Sequence, residues 1–150
     1  MADHGNIGGD RMAKNMHDYA PAYAALLAPL VANIPSAPVI AEVGILKGTG
    51  LAMWSDFLPA DATVHGVDCS LARWHAHSAE LRAMGAFRRG NVRTHEYDTS
   101  SAQFASFAST LPPLDVAIDD GNHTAAHKNA SSLPAPVLGE MPALPAAQSK

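Results

Sequence analysis

The chain has 150 residues, 47% of them hydrophobic, a formal net charge of −4 and one cysteine, Cys69. That length suits a single domain with a sizeable core. The acidic balance offers no basic stripe for nucleic acid, and one cysteine excludes an internal disulfide and fits a reducing compartment. No apolar run approaches the roughly 20 residues of a membrane-spanning helix. The polar opening stretch, 1–14, is no secretory signal, so a cytoplasmic protein without a membrane partner is expected.

Residues 1–15 read as loosely ordered. From 16 to 33, Tyr19, Tyr23, Leu26, Leu27, Leu30 and Val31 share the face of a helix that Pro35 and Pro38 end. An apolar run, 38–43, reads as a buried strand, and a glycine-rich turn leads into a helix over 49–58. A second strand covers 63–67 and ends at Asp68. Ser70 is placed to cap the next helix, whose inner face is Leu71, Trp74, Leu81 and Met84 and whose end is Gly85. A third strand spans 92–97. Ser100 or Ser101 caps a short helix carrying Phe104, Phe107 and Leu111. A fourth strand, 114–118, ends in Asp119-Asp120-Gly121, and a last helix starts near His123 and fades before Pro134. The alanine- and proline-rich stretch 131–150 reads as an extended tail.

Strands alternating with helices imply an α/β fold: a Rossmann-like parallel sheet with helices on both faces and right-handed crossovers. Ligands of such sheets sit outside the carboxyl ends of the strands. Glu42, Asp68, Asp98 and Asp119 each fall at or just past a strand end. One such acid is ordinary, whereas four in register make that rim a binding face.

The turn Glu42-Val43-Gly44-Ile45-Leu46-Lys47-Gly48-Thr49-Gly50 is the most specific feature. Its glycines let backbone approach a ligand, and N–H groups at a helix start favour polar or anionic groups. Lys47 precedes Gly48, so a P-loop fails, and Met53 stands where G-x-G-x-x-G needs its third glycine, which disfavours a nicotinamide enzyme. Glu42 suits a ligand with a positive or hydrogen-bond-donating part. Asp68, about twenty residues on, suits ribose hydroxyls. Asp119 and Asp120 supply hard oxygen ligands for Mg²⁺ or Ca²⁺, with His123 near enough to act as a general base; the plainer alternative is a capped turn. His75 and His77 do not share a helix face. His123 and His127 have zinc spacing, but Thr124 replaces the glutamate of H-E-x-x-H. Trp54 and Trp74 are read as core, and Cys69 lacks a base partner.

Taken together, these motifs resemble class I S-adenosylmethionine-dependent methyltransferases, and within them the macrocin/mycinamicin sugar O-methyltransferase group. The resemblance spans roughly residues 10 to 130. It rests on the glycine turn, on His65-Gly66-Val67-Asp68, on Asp98-Thr99-Ser100, on Ile118-Asp119-Asp120-Gly121-Asn122-His123, and on Met12, Lys14, His17 and Tyr19 at the front. It implies that Glu42, Gly44, Gly48 and Gly50 hold the methionine part of the cofactor, that Asp68 binds ribose and that Asp98 lies near the adenine. Asp119 and Asp120 would join a Mg²⁺ site orienting the hydroxyl of a small-molecule acceptor, and His123 would take its proton. Tyr97 and Thr99 depart from the group's glycine and glutamine. The group's fold has seven strands, and four are legible here. The chain therefore reads as a truncated version that lacks the later acidic metal ligands, active or reduced to a non-catalytic cofactor-binding fragment. Its fourth strand would form an open edge, available to a second copy of the chain.

Overall fold

In the computed structural model, residues 20–33 and 37–121 are described. Helices and strands alternate through them: α1 (Ala20–Ala32), β1 (Val39–Val43), α2 (Thr49–Phe57), β2 (Thr63–Asp68), α3 (Ala72–Ala83), β3 (Val92–Glu96), α4 (Ala102–Ala108) and β4 (Val116–Asp119). The strands pair in parallel in the order β3-β2-β1-β4. The chain steps outward from β1 to β3, then returns to the other side of β1. That reversal puts a topological switch point between β1 and β4. The fold is α/β and Rossmann-like, as expected.

Alternation along the strands divides the core between two faces. Ile40 and Val64 join Leu51, Trp54, Trp74 and Leu81 on the side of α2 and α3, with Tyr23 and Leu27 of α1 packed against them. Val43 and Val67 point the other way and meet Phe104 and Ala108 of α4. The helices therefore cover both faces. Among the described residues β4 pairs only with β1, so its far edge carries no strand.

Local expectations are corrected in three places. Met84 was expected on the inner face of α3, yet it is 40% exposed, because α3 ends before it and Ala86 and Phe87 fill that part of the core. Leu26 also faces outward, leaving Tyr23 and Leu27 as the packed pair of α1. Ser70 was expected to cap α3. Its hydroxyl lies 3.4 Å from Ala72 N, while Leu71 N donates to the Glu96 carboxylate at 2.7 Å. A longer acidic side chain from the neighbouring strand has taken that place. Gly85, with φ +102°, does end α3, and Ser101 rather than Ser100 caps α4. The expected loose segment 1–15, residues 16–19 of the first helix, the last helix with His123 and His127, and the tail lie outside the described residues, as do the side chains of Leu30 and Val31.

Candidate functional site

Backbone hydrogen bonds lace the carboxyl ends of all four strands into one rim. Asp120 N donates to Val43 O at 2.9 Å, Gly44 N to Val67 O at 2.8 Å, and Tyr97 N to Asp68 O at 2.9 Å. The glycine turn, Asp68, Asp98 and the Asp119-Asp120 pair are thereby set side by side, at the place where open parallel sheets bind ligands.

Two glycines of the turn are required by the geometry. Gly44 has φ +84°, and a Cβ there would strike the backbone of Asp120 and lie 2.7 Å from Gly121 N. A side chain at 44 would push the end of β4 off the rim. Gly48, with φ +90°, is the N-cap of α2, and a Cβ there would strike the Trp74 indole. Gly50 closes the turn over Glu42, whose carboxylate lies where its Cβ would be. Glu42 is fully buried beneath the first turn of α2, a position that the helix dipole favours for an acid. It shapes the turn from below.

Leu46 lies between these glycines with φ +49°. Left-handed backbone costs a residue with a side chain roughly 1–2 kcal/mol. The conformation is held by Leu46 N donating to Asp68 Oδ2 at 2.9 Å.

Asp68 is therefore tied to the turn. Its Oδ1 also accepts from Ser70 N at 3.2 Å, and the half-buried carboxylate keeps lone pairs for further donors. The Cys69 thiol has its pKa pushed up, by what burial it has and then by its hydrogen bond to Asp68, with Asp98 adding a smaller push. That makes it a poor nucleophile. Asp98 is exposed; its Oδ1 accepts from Ser100 N at 2.9 Å and Ser100 Oγ at 2.7 Å, and its carbonyl accepts from Ser101. It thus builds the entry to α4 as well as facing the rim.

Asp119 is exposed, and its Oδ1 accepts from Gly121 N at 3.1 Å. Among the described residues no group of three or more His, Cys, Asp or Glu is placed to hold a metal. Two carboxylates adjacent in sequence, one already turned to a backbone N–H, do not fit a Mg²⁺ cage by themselves. His123 lies outside the described residues.

Some participants had no sequence signal. Trp74, read only as core, also backs the turn at Gly48, and Phe87 meets its ring edge-on at a centroid distance of 5.2 Å. A positive φ at a leucine has no compositional mark. His65 of β2 and His95 of β3, diagonal neighbours in a register that pairs His65 with Arg93, hydrogen-bond at 3.0 Å through Nδ1 and Nε2.

No protein-family model and no curated protein sequence matches the chain. Solved structures similar to it include the following two. One is a Klebsiella pneumoniae protein provisionally assigned as an O-methyltransferase, with 21% identity, a TM-score of 0.46 and coverage of 63% of this chain and 40% of that one. The other is a SAM-dependent methyltransferase from Thiobacillus denitrificans in complex with S-adenosyl-L-homocysteine, with 18% identity, a TM-score of 0.47 and coverage of 85% of this chain and 49% of that one. The chain thus spans less than half the length of either.

Proposed function

We propose that the chain is an S-adenosylmethionine-binding methyltransferase domain whose acceptor is a hydroxyl of a sugar-like or natural-product molecule. The observation that carries the reading is the hydrogen bond from Leu46 N to Asp68, which joins the glycine turn to the strand-end acid. In this reading the turn residues Gly44, Gly48 and Gly50, shaped from below by Glu42, hold the methionine part. Asp68 takes the ribose hydroxyls with its remaining lone pairs, and Asp98 stands on the adenine side.

S-adenosylmethionine bound there supplies an electrophilic methyl group: the acceptor oxygen forms a C–O bond as the C–S bond breaks, sulfur keeps the electron pair, and the hydroxyl proton leaves to a base. The chain's contribution is alignment, because positioning supplies much of the rate of an in-line transfer. His123 is the assigned base, two residues beyond Gly121. The Mg²⁺ assistance implied by the resemblance would rest on Asp119 and Asp120, and no step here depends on it.

Calorimetric titration with S-adenosylmethionine, S-adenosylhomocysteine and NAD tests the reading. Both adenosyl compounds should bind and NAD should not, and Asp68→Ala should weaken S-adenosylhomocysteine by about tenfold or more, the worth of one or two hydrogen bonds. Silence with both adenosyl compounds overturns the proposal. Binding without turnover across a panel of hydroxylated acceptors would leave a cofactor-binding domain that does no chemistry.

A further inference from the structure

Two non-glycine residues of the described chain have left-handed backbone, Leu46 at φ +49° and Phe87 at φ +60°. Their surroundings differ. Phe87 is 8% exposed, and its ring is packed edge-on against Trp74 beneath the Arg82 guanidinium, 5.6 Å from its centroid. Burial of a large ring offsets its backbone strain. Leu46 is 43% exposed, so the described residues give its side chain no such compensation. Glycine would adopt the same backbone without strain. The turn nevertheless has an apolar, branched side chain here, on the residue whose N–H donates to Asp68. The Asp68 bond holds the backbone, but strain that no side-chain packing among the described residues offsets, at a rim, is the pattern of a residue retained for a ligand.

We propose that Leu46 is a ligand-contacting residue whose side chain covers the apolar face of the bound nucleoside. The inference rests on the adenosyl-binding reading above, since Asp68 marks where the ribose would lie. Its physical content is a trade: the backbone is strained in the empty protein, and the side chain loses exposed apolar surface once the nucleoside is bound.

The test uses the full chain and two variants, Leu46→Gly and Leu46→Met, with thermal melting of the ligand-free protein and titration with S-adenosylhomocysteine. For Leu46→Gly the expected result is a ligand-free Tm no lower than wild type together with tenfold or greater loss of S-adenosylhomocysteine affinity. Leu46→Met, which keeps an apolar side chain, should bind within about threefold of wild type. Unchanged affinity in Leu46→Gly would make Leu46 a turn residue only. A lowered ligand-free Tm in Leu46→Gly would mean that another part of the chain covers the side chain, and would equally overturn the inference. If wild type itself fails to bind, the adenosyl reading falls and this inference falls with it. If wild type binds and both variants bind alike, only the inference about Leu46 falls.

Discussion

On the α2–α3 side of the sheet the core is wide and apolar; on the α4 side it is thin and contains two imidazoles. The wide side holds Trp54, Leu51, Leu58 and Leu81, all essentially inaccessible, with Tyr23 edge-on to Trp54 at 5.0 Å. Among the described residues, the core cluster of the thin side is Val43, Val67, Phe104 and Ala108, flanked by Tyr97 stacked on Phe107 at 4.5 Å and by the His65–His95 pair. Both faces share the same four strands, so the difference comes from the helices. Among the described residues, two helices and the edge of α1 cover one face, while a seven-residue helix covers the other. Stability is therefore concentrated on the wide side, and sensitivity to conditions on the side that carries Asp98 to the rim.

The largest expected effect sharpens that contrast. Trp54→Ala should remove about 3–5 kcal/mol, the usual range for truncating a buried aromatic residue. Phe107→Ala, on the thin side and half-buried, should remove roughly half of that. Urea denaturation of the two variants measures the pair. Equal losses, or the reverse order, would break the comparison.

The next effect is set by pH. His65 is 3% exposed, and burial, then His95 and then Arg93, pushes its pKa down from 6.5 to about 4. His95 is also lowered, by burial and then by Arg93. Both imidazoles are neutral in the folded chain at pH 7. Between about pH 6.5 and pH 4 the unfolded chain binds a proton at His65 that the folded chain refuses, so stability falls as pH falls through that window. The loss is on the order of 3 kcal/mol, from about 1.4 kcal/mol per pKa unit, and it levels off below the folded value. Denaturant midpoints from pH 7 to pH 4 should show the decline, and His65→Gln should flatten it. A flat wild-type profile would mean that the pair is solvated.

Much of the fold was legible because its signals are local. Strand and helix periods, the glycine turn, the acid at or near each strand end and a serine cap at 100 or 101 all follow from neighbours in sequence. The parallel order followed from alternation of elements. What escaped depends on register and on distant side chains. Glu96 holds the first N–H ahead of α3 only because β3 pairs beside β2. Arg89 reaches back to the carbonyls of Ser55 and Leu58 at the end of α2 from beyond α3. Thr63 of β2 pairs with Val39, and the register one strand further out, His65 to Arg93, sets the two imidazoles within reach of one another. Of the expected site residues, Glu42, Gly44, Gly48, Gly50, Asp68, Asp98, Asp119 and Asp120 share the rim. The strain at Leu46 belongs to the folded turn and has no trace in residue type.

The smallest predicted effect separates the two serines expected as caps. Ser101 Oγ accepts from Phe104 N at 3.1 Å and donates to the Asp98 carbonyl at 2.6 Å, so one hydroxyl both starts α4 and fastens it to the residue facing the rim. Ser101→Ala should lower stability by about 1 kcal/mol, the usual loss for a removed cap. Ser101→Asp, which keeps the acceptor and loses the donor, should recover part of it. Ser70→Ala should stay within about 0.5 kcal/mol of wild type, because Glu96 already holds the neighbouring N–H and the Ser70 contact is long, at 3.4 Å. The same denaturant titration reads all three variants. An equal loss at both serines would show that the Glu96 contact does not hold the start of α3. No loss at Ser101 would show that α4 is held by Phe104 alone, and the thin side would then be sturdier than its few buried residues imply.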